Sequence, residues 1–175
     1  IRHFFSTIGS TSKSKWVMRL FKSQKEEVQH EDVMPIVLAC LNMGKQKEGA
    51  LIVIERHTGL KEIIRTGELI DADINQRLIE NIFFKNSPLH DGAMVISKQR
   101  ITAAGCILPV SHNSDIPRSL GLRHRAALGM TQQSDCLAIV VSEETGNISV
   151  AEDGHFHLKL TAEELERILT EAWIA

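Results

Sequence analysis

Residues 92–110, GAMVISKQRITAAGCILPV, carry the strongest fold signal in the chain. The apolar runs Gly92–Ser97 and Ile101–Val110 flank three polar residues, which predicts a β-hairpin. Two more apolar runs, Ala50–Glu55 and Cys136–Val141, are rich in β-branched residues and predict buried strands. These segments together predict a sheet that is largely buried.

Helical patterns and shorter strands surround these runs. Apolar residues recur at three- and four-residue spacing over Val33–Met43, and Gly44 falls where such a helix should end. Thr161 and Glu164 have the spacing of a capping box at the start of the last helix. Other predicted elements are helices at Asn75–Phe84 and Arg123–Gln133 and strands at Asn147–Ala151 and His155–Leu160. Adjacent hairpins with interspersed helices predict an α/β fold, a single domain with a mixed β-sheet surrounded by helices.

Composition excludes several classes of protein. The 175 residues are 43% hydrophobic and 24% charged, which is typical of one globular domain and not of a disordered or fibrous chain. The net charge of −2 argues against a broad basic surface, so no nucleic acid polymer is expected as a partner. The sequence contains no run of about 18 apolar residues, which is the length that a membrane-spanning helix needs. Three cysteines in apolar stretches are predicted to be buried thiols: Cys40, Cys106 and Cys136.

The first 30 residues differ from the rest of the chain. A short apolar patch and a flexible polar joint precede a segment with near-helical apolar spacing at Trp16–Phe21, which predicts a helical appendage to a domain at 31–175. Its basic residues fit either a solvated helix face or a segment beside an anionic membrane. Because the sequence begins at Ile1 and not at Met, we expect a fragment of a longer chain.

His90 and Asp91 form the first candidate site, immediately before a predicted strand. Gly92 allows a ligand or backbone to approach closely. A carboxylate at the mouth of a sheet can hold Mg²⁺ or Mn²⁺, or orient a hydroxyl nucleophile. Asp91 could instead stabilise the turn, and a His-Asp pair also occurs in metal-dependent phosphohydrolases, where further ligands come from helices.

Residues 121–126, GLRHRA, form the second candidate site. They place Arg123, His124 and Arg125 in the first turn of a predicted helix. Backbone N–H groups and the helix dipole favour an anion there, and arginine offers a bidentate fork to phosphate. A surface arginine paired with acidic neighbours is the alternative interpretation.

A third candidate follows the strand at Cys136–Val141. Ser142 is succeeded by Glu143 and Glu144, two carboxylates that could complete a cation site. Because Glu55–Gly59 ends the first strand with a similar pattern, a plain hairpin turn is the alternative.

Taken together, these segments resemble the diadenylate cyclase (DAC) domain family. Asp91–Ala93, preceded by His90, and Arg123–Arg125 match the two hallmark motifs of that family, about 30 residues apart. The resemblance covers about 31–173, and the agreement extends to Gly49–Ile52, Glu55–Gly59, Leu108–Pro109 and Ser142–Gly146.

The resemblance implies a reaction and its requirements. Enzymes of this family condense two ATP molecules into cyclic di-AMP and release two pyrophosphates. Each domain binds one ATP. Two domains meet face to face as a homodimer, so that the 3′-hydroxyl of each ATP attacks the α-phosphorus of the other ATP. A divalent cation, Mn²⁺ or Mg²⁺ and sometimes Co²⁺, is required.

The resemblance also implies three groups of site residues. The catalytic group is Asp91, Arg123, His124 and Arg125. The metal group is His90, Asp91 and Glu144. The ATP-binding group is Leu51, Gly92, Ala93, Ile107, Leu108, Leu122, Arg123, Ser142 and Glu143. Within it, the backbone of Leu108 would read the adenine edge between the apolar walls of Leu51 and Ile107.

One residue departs from the family pattern. Leu122 stands where the family commonly has Thr, whose hydroxyl lies near a phosphate. Losing a hydrogen bond to a charged group costs on the order of 1.5–3 kcal/mol of ligand interaction. A catalytically silent nucleotide-binding module is therefore one alternative, and a metal-dependent phosphohydrolase built on His90 and Asp91 is another.

The amino-terminal segment points to the membrane-anchored type of this family. In that type, transmembrane helices precede a short helical linker and then the cyclase domain, and residues 1–30 resemble the linker. We expect the native protein to be tethered to the cytoplasmic face of a bacterial plasma membrane and the fragment itself to be soluble.

Overall fold

The computed structural model describes Met18, residues 31–112 and residues 116–174. The predicted helical linker and its basic residues lie outside this part of the chain, apart from Met18. The boundary at residue 30 stays a prediction.

Within the described residues, a seven-stranded sheet has the order β2-β4-β3-β1-β5-β6-β7. The pairing of β1 with β3 is parallel, and the other pairings are antiparallel. The predicted mixed sheet is therefore confirmed. The strands are β1 (Ala50–Ile54), β2 (Glu68–Asp73), β3 (Ala93–Ser97), β4 (Arg100–Cys106), β5 (Leu137–Val141), β6 (Ile148–Glu152) and β7 (His155–His157).

Helices cover both faces of the sheet, as the α/β prediction requires. Ile52 of β1 joins a buried cluster with helices α1, α3 and α5, whereas its neighbour Leu51 joins a second cluster with α2 and α4. This alternation follows from the two-residue period of a strand. The helices are α1 (31–46), α2 (Lys61–Arg65), α3 (Gln76–Phe83), α4 (Leu122–Gln133) and α5 (Ala162–Ile174).

The capping box and the buried cysteines were predicted correctly. Thr161 N–H donates to Glu164 Oε2 at 2.9 Å, and Glu164 N–H donates back to Thr161 Oγ1 at 3.2 Å. Cys40, Cys106 and Cys136 are free and buried. No helix in the described part of the chain combines the length and the apolar character that a membrane span requires.

Gly44 does not end the first helix, contrary to the prediction. Helical structure continues to residue 46, and Lys47 then takes a positive φ of 52°. A Cβ on Gly44 would come within 2.6 Å of the carbonyl oxygen of Gly146. The glycine thus permits close packing of α1 against the turn that follows β5.

Two elements were not predicted from the sequence, and the turn between β3 and β4 is one residue shorter than predicted. The missed elements are α2, which has no buried residue, and β2, whose residues are exposed or half-buried. The hairpin between β3 and β4 turns on Lys98 and Gln99 alone, both with positive φ. Arg100 is the first residue of β4, where its guanidinium pairs with Asp71 and Asp73.

Candidate functional site

A cavity of about 590 Å³ lies on the face of the sheet that α4 covers. Four segments form its walls: the loop before β3, the end of β4, the first turn of α4 and the end of β5. The predicted site residues that line it are Leu51, His90, Asp91, Gly92, Ile107, Leu108, Leu122, Arg123, His124, Ser142, Glu143 and Glu144. The structure therefore brings the three candidate motifs together at one cavity.

Ala93 and Arg125 were grouped with these residues, but neither lines the cavity. Ala93 is fully buried in β3, one position beyond Gly92, so its side chain enters the core beneath the cavity. Arg125 lies two residues after Arg123 on α4. At 3.6 residues per turn, two positions correspond to a rotation of about 200°, so the two arginines leave the helix on opposite sides.

His90 and Asp91 present two possible cation ligands to the cavity. His90 Nδ1 lies 2.6 Å from the carbonyl oxygen of Ser87, which requires this nitrogen to carry the proton in the neutral ring. His90 Nε2 is then a free lone pair, 3.4 Å from Asp91 Oδ1. Two ligands bound at right angles to one divalent cation lie roughly 3 Å apart, so the spacing of this pair suits a shared ion. The imidazole nitrogen favours a transition-metal ion over Mg²⁺, which prefers oxygen ligands.

The described residues contain no cluster of three or more His, Cys, Asp or Glu side chains with metal-binding geometry. Glu144 lines the cavity without joining His90 and Asp91 in such a cluster. Sites for Mg²⁺ commonly use one or two carboxylates and complete the shell with water and substrate phosphates.

Two glycines bring the Asp91 loop against the end of β4. Gly92 has a φ of +102°, and a Cβ on it would lie 2.8 Å from the carbonyl oxygen of Cys106. Gly105 opposite has a φ of +65° and lies at a register shift between β3 and β4. These backbone conformations favour glycine, and they set the position of Asp91 at the cavity rim.

Arg123 is held over the backbone at the start of β1. Its guanidinium Nη1 pairs with Glu143 Oε2 at 3.3 Å, and a Cβ placed on Gly49 would come within 2.6 Å of its Cζ. The N-cap residue of α4, Gly121, makes no side-chain capping bond. The first turn of α4 therefore combines unpaired helical N–H groups with a positioned guanidinium, which is a suitable environment for an anion.

His124 is buried between these groups and the core. Its ring meets that of Phe156 edge to face at a centroid distance of 6.0 Å. Burial lowers the pKa of His124, and the charge of Arg123 lowers it further. The ring is therefore neutral near pH 7, so it supports the first turn of α4 without adding charge.

Ser142 forms a compact turn at the end of β5. Its Oγ accepts bonds from the N–H groups of Glu144 and Thr145, each at 3.3 Å. Neither bond uses the proton of the Ser142 hydroxyl, so the hydroxyl can donate this proton to an acceptor in the cavity. The prediction of a hairpin turn and the prediction of a site residue are thus compatible here.

Apolar side chains also line the cavity and its mouth. Leu51 and Leu108 are buried, whereas Ile107 and Leu122 are 70% and 76% exposed. An aromatic base fits beside such surfaces. The exposed position of Leu122 leaves anion binding at this helix end to the backbone and Arg123.

Gly49→Ala should weaken the binding of a phosphate-bearing ligand, for which ATP serves as the probe, because the new methyl group displaces the Arg123 guanidinium. We expect a loss of affinity of about threefold to tenfold, because a displaced guanidinium loses about 1 kcal/mol of its interaction free energy with the ligand. The midpoint of thermal unfolding should shift by no more than about 2–4 °C, because the flexible end of Arg123 can move.

Gly59→Ala is the matched control, since a Cβ there meets no atom within 4 Å. Titration calorimetry with ATP and thermal unfolding compare both variants with the wild type. Equal ATP affinity for Gly49→Ala and the wild type would contradict the role of Gly49 in seating Arg123.

Several residues around the cavity were not predicted from the sequence. Gly105 within a strand pattern was a signal for a bulge. Cys106 also lines the cavity. Burial raises the pKa of its thiol to about 11, although a hydrogen bond from the Gly67 backbone acts in the opposite direction. The thiol is thus not a nucleophile at neutral pH. Thr66 was also missed, because its contact with Ile107 spans 41 residues of sequence.

Comparison with known proteins agrees with this geometry. The family model described as "DAC: DisA bacterial checkpoint controller nucleotide-binding" matches residues 37–156, more than half of the chain. The chain belongs to the DAC family. The match spans Asp91, Arg123 and the Ser142 turn, so all three motifs lie within the DAC region.

Individual DAC proteins are similar over most of this chain. Cyclic di-AMP synthase CdaA of Bacillus subtilis is 45% identical over 144 residues, which are 82% of this chain and 53% of that protein. A diadenylate cyclase of Listeria monocytogenes is 38% identical over 169 residues, 97% of this chain and 60% of that protein. The chain thus spans between half and two thirds of these curated relatives.

A solved DAC structure has the same fold. The crystal structure of a double mutant of DacA from Staphylococcus aureus has a TM-score of 0.83 and 42% sequence identity. The similarity covers 85% of this chain and 99% of that one. The structure of a hypothetical membrane spanning protein from Bacillus cereus has a TM-score of 0.69 and 40% identity, and the similarity covers 72% of this chain and 62% of that one.

Proposed function

We propose that this chain is the catalytic domain of a diadenylate cyclase, which condenses two ATP molecules into cyclic di-AMP and two pyrophosphates. The observation that carries the proposal is the joining of Asp91 and the Arg123 end of α4 in one nucleotide-sized cavity. The names of the relatives from B. subtilis and L. monocytogenes support the same reaction.

The triphosphate binds at the first turn of α4. Helical N–H groups, the Arg123 guanidinium and the Ser142 hydroxyl supply donors for phosphate oxygens. Because Glu143 lies on the same guanidinium, phosphate oxygens compete with its carboxylate for Arg123. Arg123 and the helix dipole compensate the negative charge that develops as pyrophosphate leaves.

The adenine binds at the apolar end of the cavity. Leu51 and Ile107 flank it, and the backbone of Leu108 offers a carbonyl and an N–H to its edge. This assigns opposite ends of the cavity to the base and the phosphates. Specificity for adenine then depends on the position of the segment after β4.

Asp91 acts on the attacking hydroxyl. Its carboxylate is 85% exposed at the rim, where it can orient the 3′-hydroxyl of ATP and accept its proton. The oxygen forms a bond to the α-phosphorus of the second ATP while the bond to pyrophosphate breaks. Two such displacements close the ring of cyclic di-AMP.

Two copies of the chain form one catalytic unit in this proposal. Asp91, Ile107 and Leu122 lie exposed at the mouth of the cavity, so a second nucleotide can approach from outside. A face-to-face homodimer places each 3′-hydroxyl near the other α-phosphorus and supplies the required in-line geometry. We further propose that the whole protein is tethered at the cytoplasmic face of the membrane; the similarity to a B. cereus structure described as a membrane spanning protein supports an association with the membrane.

The donor set of the cavity fits a divalent cation such as Mn²⁺, Mg²⁺ or Co²⁺. His90 Nε2 and Asp91 Oδ1 would hold it, with Glu144 within the same cavity. When bound, the cation neutralises phosphate charge and lowers the barrier to displacement. The chain's own groups still orient the nucleotide and receive the proton.

The proposal is tested by identifying the product. The protein is incubated with ATP and Mn²⁺, Mg²⁺ or Co²⁺ in turn, and the nucleotides are separated by chromatography and identified by mass spectrometry. Cyclic di-AMP with pyrophosphate is the expected result. Pyrophosphate without a cyclic dinucleotide, or hydrolysis of a phosphodiester, would favour a phosphohydrolase. ATP binding without any product would favour a silent binding module.

A further inference from the structure

The segment Ile107–Ser111 follows β4 and belongs to no helix or strand. Three of its residues, Ile107, Leu108 and Val110, line the part of the cavity to which the adenine is assigned. A wall of irregular backbone keeps its position only if other parts of the chain hold it. Two separate contacts do so, one at each end of this segment.

The hydroxyl of Thr66 holds the first end. Ile107 N–H donates to Thr66 Oγ1 at 2.9 Å. The same hydroxyl donates its proton to the carbonyl oxygen of Ile63 at 2.6 Å. Because its proton is committed to Ile63, the lone pair of Oγ1 is directed at Ile107.

The turn at Thr66 is itself fixed against β4. A Cβ on Gly67 would come within 3.0 Å of the backbone nitrogen of Cys106. Thr66 ends α2, and its own N–H donates to the carbonyl oxygen of Ile63 at 3.1 Å. Thr66 is therefore placed by two neighbouring elements, and it does not itself line the cavity.

Helix α4 holds the second end of the segment. Ser111 N–H donates to the carbonyl oxygen of Arg125 at 3.0 Å. A Cβ on Gly129 would lie 2.5 Å from the carbonyl oxygen of Pro109 and 2.8 Å from Ser111 N. The glycine thus lets the segment pack directly on the helix that carries Arg123.

We propose that Thr66 is a positioning residue for base recognition: its hydroxyl holds Ile107 and thereby sets the Leu108 backbone that faces the adenine. This inference rests on the proposed function, because it assumes that a purine nucleotide occupies the cavity. Among the described residues, the hydroxyl of Thr66 bonds to Ile63 and Ile107 and not to the first turn of α4, so its loss should act first on the base contacts.

The test compares Thr66→Val, which has nearly the same shape but no hydroxyl, with Thr66→Ser, which keeps the hydroxyl. Dissociation constants for ATP, GTP and inorganic tripolyphosphate are measured by titration calorimetry with each folded variant. We expect Thr66→Val to weaken ATP binding about threefold to tenfold and to reduce the ratio of ATP to GTP affinity. Tripolyphosphate binding should stay unchanged, and Thr66→Ser should retain the wild-type ratio.

Each other outcome has a separate meaning. An unchanged ATP to GTP ratio in Thr66→Val would overturn the positioning role and leave the proposed function intact. An equal loss of ATP and tripolyphosphate affinity would also overturn it, because Thr66 would then support the whole cavity. A wild-type protein that binds tripolyphosphate but neither ATP nor GTP would contradict the proposed function itself.

Discussion

Asp91→Asn should abolish the formation of cyclic di-AMP while the domain stays folded and still binds ATP. The amide keeps the shape of the carboxylate, but it cannot accept the proton of the 3′-hydroxyl and is a weak cation ligand. Loss of a positioned general base commonly lowers the rate on the order of 10²- to 10⁴-fold. Because Asp91 is exposed at the rim, the fold does not depend on its charge.

The measurement is the initial rate of cyclic di-AMP formation, followed by mass spectrometry beside ATP affinity and thermal unfolding. Asp153→Asn is a suitable control, because this carboxylate lies in the turn between β6 and β7 and does not line the cavity. Wild-type turnover in Asp91→Asn would remove Asp91 from the chemistry. If Asp91→Asn lost ATP affinity to the same extent as turnover, Asp91 would be a binding residue and not a catalytic one.

Arg123→Ala should have the second largest effect, and it should act on ATP binding. The guanidinium lies at the first turn of α4 and is the only Arg or Lys side chain among the described residues that line the cavity. Hydrogen bonds to charged groups are worth about 1.5–3 kcal/mol, which corresponds to a loss of ATP affinity of roughly 10- to 150-fold. Tripolyphosphate affinity should fall with ATP affinity, since both ligands use this end of the cavity.

Arg65→Ala serves as the control for Arg123→Ala. Arg65 is an exposed arginine on α2 that pairs with Glu62 and does not line the cavity. Arg123→Lys adds a second comparison: it keeps the charge but loses the planar fork, so it should recover part of the lost affinity. Unchanged ATP and tripolyphosphate affinities in Arg123→Ala would show that the phosphates bind elsewhere.

The buried strands were predictable from the sequence because their whole surface is covered. The run at Ala50–Ile54 is apolar at every position since helices pack on both faces of the sheet. The missed strand β2 has the opposite character: it lies at the edge of the sheet, and Leu69 is exposed. Its register shift near Asp71, a residue with positive φ, also breaks the two-residue alternation. Local patterns carry little information about such an edge strand.

The polar motifs of the site were predictable because each occupies a short stretch of sequence. Asp91 before a strand and Arg123 at the start of a helix are local patterns, and the structure brings both to the cavity. The contacts of Gly49 with Arg123 and of Thr66 with Ile107 are long-range. Since they depend on how the sheet brings distant segments together, no spacing rule predicts them.

Gly129 illustrates how one residue can be judged unfavourable locally and still be required by the fold. In an isolated helix it costs up to about 1 kcal/mol relative to alanine. In the folded chain it admits the backbone of Pro109 and Ser111 against α4. Helix propensity alone could not reveal this packing.

The central claim is that two copies of the chain, each holding one ATP, together form cyclic di-AMP. The most direct test measures cyclic di-AMP formed per protein chain over a range of protein concentrations, with the dimer fraction determined by analytical ultracentrifugation in the same buffer. The account predicts that specific activity rises with the dimer fraction and vanishes in Asp91→Asn. Constant specific activity down to a fully monomeric sample, or ATP consumption by the dimer without any cyclic di-AMP, would contradict it.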